Sequence, residues 1–385
     1  MGMFGSPPPP PPRTITLEPP SGGPYINGLI FVIVAQLLTV PLCILAFKLK
    51  GKAVPLAVVS VLAAFAPLKA QEMLAVFVVE QGWSTPLDAL AGRFCSSSIY
   101  AFCAFRIFGA AVDSTPKGAD ADLATWIAFA TAACDPLFDK TTGKPIRPAK
   151  DAVLERIKYV LLRMMALSVV SSISAPSAGY PAAAYFAGGG PSLDAVAFVI
   201  DHVCVHLFMI YLFLSMAMDI GSLLLEVQGF SPLAPFENPI FDTRSPRDFW
   251  GKKWNVQVTA TLKRCVFIPL RKFAGAPAPV AAIATFLSSG LFHEYQFLLS
   301  FPKYTLGSIS FFFGMQAAFA FLDSLYSRFL GKAGVMSVLG ANGAALQSLC
   351  VLIAFSPTVP YFSKIWIDEG MFDVMSAMTP QFKLQ

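Results

Sequence analysis

Long apolar stretches alternate with short polar segments along most of this chain. About 20 apolar residues suffice to cross a bilayer as a helix, so the pattern predicts about eight transmembrane helices. The predicted spans are Ile26–Phe47, Ala53–Leu68, Phe94–Val112, Tyr159–Ile173, Leu193–Ala217, Val280–Phe301, Thr305–Arg328 and Val335–Phe355. Three shorter apolar pieces are predicted to be interfacial or half-buried helices: Gln71–Val79, Leu123–Cys134 and Val256–Leu270.

The composition agrees with a chain that lies mostly in lipid, because 55% of the 385 residues are hydrophobic and only 13% are charged. An average soluble domain has about 25% charged residues, and a soluble fold of this size could not cover its surface with so few. We therefore expect an all-α, polytopic integral membrane protein. The seven cysteines include no CxxC pair, so we expect neither a disulfide framework nor a metal site built on them.

Basic residues gather in four of the segments between the predicted spans. These groups are Lys48, Lys50 and Lys52; Lys140, Lys144, Arg147, Lys150, Arg156 and Lys158; Arg244, Arg247, Lys252, Lys253, Lys263, Arg264, Arg271 and Lys272; and Arg328 and Lys332. With about eight spans, all of these groups fall on one side of the membrane, which the positive-inside bias makes cytosolic. The net charge of +5 is modest, so we expect no nucleic-acid partner.

Residues 1–25 are predicted to form a disordered N-terminal tail, because the consecutive prolines Pro7–Pro12 favour a stiff, extended chain. The start of the sequence lacks the charged and apolar regions of a secretory signal. Residues 26–385 are then predicted to form a single multi-pass membrane domain.

One segment between two predicted spans, SPRDFWGKKWN at Ser245–Asn255, combines aromatic, basic and acidic residues. Ser245 is a predicted helix N-cap, with Pro246 at the first helical position. The short helix would carry its aromatic side chains towards the membrane and its basic side chains towards headgroups or an anionic ligand; these residues are Phe249, Trp250, Trp254, Lys252 and Lys253. Because tryptophan and lysine are typical of membrane interfaces, an interfacial anchor is the simplest interpretation of this segment taken alone.

A second polar segment, SSGLFHEYQF at Ser288–Phe297, lies inside the sixth predicted span. Ionisable residues within a span are costly and indicate a function, and this segment has His293 and Glu294 in sequence. Helical spacing places Ser289, His293 and Gln296 on one face, which we expect to look into the protein or a wet cavity. Glu294 is rotated by about 100° from His293, so the two need not touch. The alternative is a histidine that only hydrogen-bonds a neighbouring helix.

The fifth predicted span carries a third candidate, IDHVCVH, in which His202 and His206 are four residues apart beside Asp201. Two histidines at this spacing can bind zinc when a third ligand arrives. The sequence offers no obvious third ligand, so hydrogen bonding or the lining of a tunnel is the favoured interpretation.

Asn238-Pro239, the block Asp248–Asn255 and the pair His293-Glu294 together resemble the wax synthase branch of the membrane-bound O-acyltransferase family. In that branch the block typically reads Asp-Phe-Trp-Gly-Arg-Arg-Trp-Asn, after an Asn-Pro start and a serine-rich link, and a glutamate follows the histidine. This sequence has two lysines in place of the arginine pair, which keeps the charge but loses bidentate geometry. The resemblance is specific over residues 237–295, and outside them only hydropathy and general layout match.

The resemblance implies a multi-helix fold around a catalytic tunnel, with an acyl-CoA donor that enters from the cytosol as a co-substrate. It assigns His293 as the catalytic base and places Asn255 nearby, where the amide would stabilise the reacting carbonyl or only position the substrate. The basic residues lie where coenzyme A phosphates would arrive, and the tryptophans would wall the tunnel or anchor at the interface. No metal and no bound cofactor are expected, because a thiolate leaves readily. The candidates for substrate binding are Trp250, Lys252, Lys253, Trp254, Glu294 and Ser289.

The leading hypothesis is an acyl-CoA-dependent O-acyltransferase that forms neutral lipid esters among membrane lipids, with wax ester from a long-chain alcohol as the preferred product. A sterol, diacylglycerol or terpenoid alcohol is the alternative acceptor. Two other classes stay open: a transporter whose ion path uses the histidines and Glu294, and a non-catalytic lipid-binding scaffold. The resemblance implies an endoplasmic reticulum location, whereas oligomeric state and chain-length preference do not follow from the sequence.

Overall fold

Helices account for nearly all regular structure in the computed structural model, which describes residues 15–329 and 343–384. The helices are α1 (Gly23–Lys48), α2 (Ala53–Glu80), α3 (Pro86–Ala111), α4 (Leu123–Thr131), α5 (Ala152–Ser174), α6 (Pro181–Tyr185), α7 (Pro191–Val199), α8 (Phe208–Val227), α9 (Pro246–Asp248), α10 (Val256–Leu262), α11 (Ile268–Lys272), α12 (Ala278–Ser300), α13 (Ser308–Phe329), α14 (Ala344–Phe355), α15 (Val359–Asp368) and α16 (Met371–Ala377). Short π-helical segments lie between α7 and α8, α9 and α10, and α10 and α11: Ile200–Leu207, Phe249–Lys253 and Lys263–Phe267. The all-α prediction is confirmed.

Within the described residues, six helical stretches are long and apolar enough to cross a membrane. They are α1, α2, α3, the stretch Ala152–Ser177 that contains α5, the stretch Pro191–Val227 that contains α7 and α8, and α13. The helices α14 and α15, bent by 73° at a short break, form a seventh if they are counted as one span. The prediction of a multi-pass membrane protein is confirmed, although about eight spans were expected. The predicted sixth span is α12, which falls outside this set because His293, Glu294 and Gln296 interrupt its apolar sequence.

The two ends of the described chain meet on one face of the helix bundle. The strands β1 (Ile15–Glu18) and β2 (Gln381–Leu384) pair antiparallel, and the Tyr25 hydroxyl donates a hydrogen bond to the Met378 carbonyl. A chain whose ends share a face crosses the membrane an even number of times. Over the described residues, the six stretches and the bent pair make seven, and α12 as a further span would make the number even.

Two of the differences from the predicted boundaries change how the chain is divided. Residues 15–25, assigned to the disordered tail, form β1 and the start of α1, while Pro7–Pro12 lie outside the described residues. The second span was expected to end at Leu68, but α2 is one helix of 28 residues that includes the predicted separate piece Gln71–Val79. Pro67 removes one backbone donor without ending this helix, which packing against neighbouring helices allows in membrane proteins.

The loops that carry basic residues meet on one side of the bundle. Lys50, after α1, lies 2.7 Å from a carboxylate oxygen of Asp120, after α3. Lys272, at the end of α11, lies 3.9 Å from a carboxylate oxygen of Asp113, at the end of α3. These pairs join three polar segments of the chain, in agreement with the charge pattern that placed them on a common face.

The central helix of the bundle is α3, since 67% of its most apolar stretch is buried, against 22–28% for α1, α2 and Ala152–Ser177. It packs against α1, α2 and α12, and α12 in turn packs against α13. A large apolar core lies beside α12, and its fully buried side chains include Phe249, Phe297 and Trp366. This packing puts the polar face of α12 inside the protein, as its helical spacing predicts.

Candidate active site

The aromatic-basic segment begins as the sequence predicts. The Ser245 hydroxyl accepts a hydrogen bond from the Asp248 backbone N–H at 3.2 Å, and Pro246 occupies the first helical position of α9. After this single turn the chain widens into the π-helical segment Phe249–Lys253. A π-helical turn carries an extra residue relative to an α-helix and is frequent at functional sites.

The aromatic side chains of this segment face the protein interior. Phe249 and Trp254 are buried, and their rings stack with centroids 5.3 Å apart. Trp250 donates from its indole N–H to the Gln316 side-chain carbonyl at 3.2 Å, and its ring lies 5.6 Å from that of Phe313. Of the two interpretations of the tryptophans, a tunnel wall and an interfacial anchor, these contacts agree with the tunnel wall, because the side chains pack against α13 and the core.

The two lysines lie on the other side of the same segment. Lys252 has 78% of its side chain exposed and stands 3.9 Å from an Asp248 carboxylate oxygen. Lys253 is held at 2.6 Å by the carboxylate of Asp242. The segment therefore separates an aromatic wall inside the protein from basic groups at its surface.

Asn255 follows the segment in a backbone conformation that few residues accept. Its φ of 41° and ψ of 61° lie in the left-handed region, which asparagine tolerates better than most residues with a side chain. Asn255 is also the N-cap of α10, because its side-chain carbonyl accepts from the Val258 N–H at 3.4 Å. That contact leaves the side-chain NH₂ group of Asn255 as the donor without a partner among the described residues.

A buried polar cluster fixes the start of α10. The fully buried Gln257 accepts from the Asp135 backbone N–H at 2.7 Å and donates to the Leu233 carbonyl. The Asp135 carboxylate pairs with Arg106 at 2.8 Å and with Arg264. Burial alone would raise the pKa of the Asp135 carboxyl, but the two arginines outweigh it, so this pKa lies below its usual range. No local pattern in the sequence groups these residues, because they come from four separate segments.

His293 lies on the inner face of α12, where its ring stacks on Phe313 with centroids 4.6 Å apart. The Nδ1 atom is 2.7 Å from the Ser289 carbonyl oxygen. A carbonyl can only accept, so Nδ1 carries the proton in this assignment and Nε2 of the neutral ring is an acceptor. Among the described residues Nε2 has no partner, and the half-buried ring lines a cavity. This arrangement suits a general base.

Glu294 and Ser289 support the histidine helix rather than face the cavity. The buried Glu294 carboxylate accepts three hydrogen bonds, from the Tyr304 hydroxyl at 2.6 Å and from the backbone N–H groups of Gly307 and Ser310. These contacts tie α12 to the start of α13, which carries Phe313. Ser289 contributes its backbone carbonyl to His293. Neither side chain belongs to the described wall of the cavity, in contrast to their predicted place in substrate binding.

The cavity has a volume of about 380 Å³ and collects half of the predicted site residues. His293, Asn255, Trp250 and Trp254 all line it, although they come from segments far apart in the sequence. Its wall is mostly apolar and includes residues of α1, α3, α8, α13 and α15. The lining runs from Tyr25, on the face of the chain ends, to residues near the C-terminal end of α8, so the cavity is elongated.

The remaining histidines lie outside this cavity wall, among the described residues. His206 donates from Nε2 to the Gly179 carbonyl at 2.8 Å, and its Nδ1 is 3.4 Å from the Ser363 hydroxyl. The Asp201 carboxylate accepts from the backbone N–H groups of Ala182 and Ala183. The described part of the chain has no group of three ligands that could hold a metal ion. Hydrogen bonding, the favoured interpretation of this motif, agrees with these contacts.

The fold and cavity define a multi-pass membrane protein whose interior brings an imidazole and a carboxamide to one apolar chamber. The sequence model of the membrane bound O-acyl transferase family matches residues 233–314, which include both Asn255 and His293. The resemblance to this family is therefore confirmed over the segment that carries the site.

Relatives with curated names come from Arabidopsis thaliana. Probable long-chain-alcohol O-fatty-acyltransferase 7 is 30% identical over 118 residues, which cover 29% of this chain and 34% of that protein. Probable long-chain-alcohol O-fatty-acyltransferase 6 is 29% identical over 168 residues, or 43% of this chain and 48% of that protein. Acyl-CoA--sterol O-acyltransferase 1 is 30% identical over 105 residues, or 25% of this chain and 30% of that protein. Each match spans less than half of the relative, so the similarity to the long-chain-alcohol branch is one of segments.

Proposed function

We propose that this protein is an acyl-CoA-dependent O-acyltransferase that forms neutral lipid esters, with a long-chain alcohol as acceptor and a wax ester as product. The observation that carries the proposal is that His293 and Asn255 line one apolar cavity, and that Nε2 of His293 and the side-chain NH₂ of Asn255 have no partner among the described residues. The family match over residues 233–314 supports the same chemistry.

His293 acts as the general base in this proposal. Its Nε2 takes the proton of the acceptor hydroxyl as the alcohol oxygen attacks the thioester carbonyl carbon. The new C–O bond forms, the C–S bond breaks, and the proton on Nε2 passes to the departing thiolate, which leaves as coenzyme A. The hydrogen bond from Nδ1 to the Ser289 carbonyl keeps the ring in the tautomer that this transfer needs.

Asn255 stabilises the negative charge that develops on the thioester oxygen. Its side-chain NH₂ group is a neutral donor whose position is set before the reaction by the N-cap of α10 and by Gln257. A donor held in place within a cavity from which water is excluded stabilises such charge far more than it would in water. The left-handed backbone of Asn255 places this donor at the cavity wall.

The coenzyme A part of the donor is too polar for the cavity and would stay at the basic surface of the segment. Lys252, whose side chain is mostly exposed, is the better phosphate ligand, because Lys253 is already held by Asp242. The acyl chain and the acceptor chain would then share the apolar cavity.

The proposal includes a location in the endoplasmic reticulum membrane, which imaging of a tagged chain would test.

The names of the relatives support a long-chain alcohol as the acceptor, because most of them specify one. A sterol is the second candidate, because one relative at 30% identity is named an acyl-CoA--sterol O-acyltransferase. The apolar, largely aromatic wall of the cavity suits the apolar body of either acceptor.

The test is an assay on membranes that contain the protein, with radiolabelled palmitoyl-CoA and, separately, a fatty alcohol, a sterol and a diacylglycerol. We expect labelled wax ester from the fatty alcohol and none from a His293→Ala variant present at the same level. If only the sterol yields labelled ester, the acceptor in the proposal is a sterol and the proposed reaction stays the same. The absence of ester with every acceptor, from protein that elutes as a folded species, would contradict the proposal.

A further inference from the structure

A small polar patch interrupts the apolar cavity wall beside His293. Gln296 of α12 and Ser98 of α3 both line the cavity, and the Gln296 side-chain NH₂ donates a hydrogen bond to the Ser98 hydroxyl oxygen at 2.9 Å. Polar groups in such a wall cost free energy unless they form hydrogen bonds, since each unpaired group loses its interactions with water. The contacts around the patch indicate which of its groups remain free.

Gln296 is one helical turn from His293 on the same face of α12. Side chains three residues apart on a helix lie about 5–6 Å apart at Cβ, so a single ligand atom can contact both. The Gln296 NH₂ group carries two hydrogens, and the described residues provide a partner for one of them, at Ser98. The second N–H therefore remains available at the cavity.

Helix packing does not account for this pair, because other contacts already join α3 to α12. The Ser300 hydroxyl donates to that of Ser97 at 3.1 Å, and the Arg93 side chain donates to the Leu299 carbonyl at 2.9 Å. Ser97 is fully buried and does not belong to the described cavity wall, whereas Ser98 and Gln296 are only half-buried and do.

We propose that Gln296, held by Ser98, binds the hydroxyl of the acceptor alcohol. The free N–H of Gln296 donates to the hydroxyl oxygen, and the hydroxyl hydrogen then points to Nε2 of His293. An alcohol oxygen has one hydrogen and two lone pairs, so it can accept from Gln296, donate to His293 and still attack the thioester carbon with its second lone pair. The inference rests on the proposed function. In that reaction the C–O bond forms, the alcohol proton moves to Nε2, and the C–S bond breaks to release the coenzyme A thiolate.

The test compares Gln296→Met, which keeps the length of the side chain but removes the donor, with Ser97→Ala as the matched control. Initial rates are measured at varied fatty alcohol with saturating palmitoyl-CoA, and then at varied palmitoyl-CoA with saturating alcohol. We expect the KM for the alcohol to rise about tenfold in Gln296→Met, the effect of losing one hydrogen bond. The KM for palmitoyl-CoA should stay within about twofold, and Ser97→Ala should change neither value.

Ser98→Ala provides a second, milder variant, in which Gln296 loses only its hydrogen-bond partner on α3. We expect the KM for the alcohol to rise by about threefold, with a stability close to that of the wild type. An unchanged KM for the alcohol in folded Gln296→Met would overturn the inference, and so would equal rises of both KM values. If Gln296→Met does not fold, an unchanged KM in Ser98→Ala decides against it. A wild-type protein that makes no ester would instead contradict the proposed function itself.

Discussion

Two histidines in this protein, His293 and His206, have nearly the same first contact and different second contacts. One nitrogen of each ring forms a hydrogen bond with a backbone carbonyl. His293 contacts the Ser289 carbonyl and His206 contacts the Gly179 carbonyl. The second nitrogen of His206 faces the Ser363 hydroxyl at 3.4 Å, outside the described cavity wall. The second nitrogen of His293 has no partner among the described residues, and the ring lines the cavity.

Burial within helices therefore does not single out the proposed base. An unpaired nitrogen alone does not either, because Nδ1 of the buried His202 also lacks a partner among the described residues, outside the cavity wall. The combination of a second nitrogen without a partner and a ring that lines the cavity singles out His293.

The largest effect is expected from His293→Ala. Loss of a general base lowers kcat by about 10²–10⁴-fold, while the variant should still fold, because the half-buried ring gives up one backbone hydrogen bond and its packing against neighbouring rings, chiefly Phe313. The measurement is the rate of ester formation at saturating substrates, with size-exclusion elution as the control for folding. A variant that keeps more than a tenth of the wild-type rate would show that the base lies elsewhere.

The next effect concerns Asn255, whose amide and backbone can be separated by choice of variant. Asn255→Gly removes the donor but accepts the φ of 41° without strain, so we expect kcat to fall by about 10²–10³-fold with little loss of stability. Asn255→Ala removes the same donor and also strains the backbone, so it should lose a similar factor in kcat and unfold at a lower temperature. If Asn255→Gly is fully active, the amide has no part in catalysis.

His206→Ala should produce the opposite profile to His293→Ala. It leaves the Gly179 carbonyl and the Ser363 hydroxyl without their partner, which costs about 1–3 kcal/mol in stability. The rate per folded molecule should remain within a few-fold of the wild type. Thermal unfolding in detergent, measured beside the ester assay, checks both halves of this expectation. A folded His206→Ala variant without activity would contradict the claim that His206 has a structural role only.

The smallest expected effect is a change in stability at acid pH, caused by the Asp135 cluster at the start of α10. Because the pKa of the Asp135 carboxyl is lower in the folded chain than in the unfolded one, this group stabilises the fold above its unfolded pKa of about 3.9. The stabilisation is lost as the pH falls through the folded pKa. We expect the difference in melting temperature between wild type and Asp135→Asn to be constant near neutral pH and to shrink below about pH 4. A difference that does not change with pH would mean that the arginine pairs do not stabilise the charged carboxylate.

Local patterns in the sequence predicted the parts of the site that depend on neighbouring residues. Ser245 caps α9 as expected, because an N-cap needs only residues within one turn. The inward polar face of α12 followed from helical spacing, since a polar face within a span is costly against lipid. Asn255 and His293 were identified from the resemblance of their motifs, and their presence in one cavity wall agrees with that prediction.

The parts of the site that the sequence left open depend on distant segments. The tryptophans could wall the tunnel or anchor at the interface, and Gln316 and Phe313 of α13 draw Trp250 inward. Glu294 was a candidate for substrate binding, whereas its carboxylate binds groups of the turn before α13 and of α13 itself, 10 to 16 residues further along. The cluster around Asp135 joins residues 29 and 129 positions away, a separation that no local pattern reveals.

The most direct test of the central claim measures ester formation per folded molecule in three proteins together: wild type, His293→Ala and His206→Ala. Purified proteins in the same detergent receive radiolabelled palmitoyl-CoA and fatty alcohol, and the folded fraction is taken from size-exclusion elution. We predict that His206→Ala keeps a rate within a few-fold of wild type while His293→Ala falls by at least about 100-fold. Equal losses in both variants, or a larger loss in His206→Ala, would contradict the claim that the free nitrogen of His293 is the base.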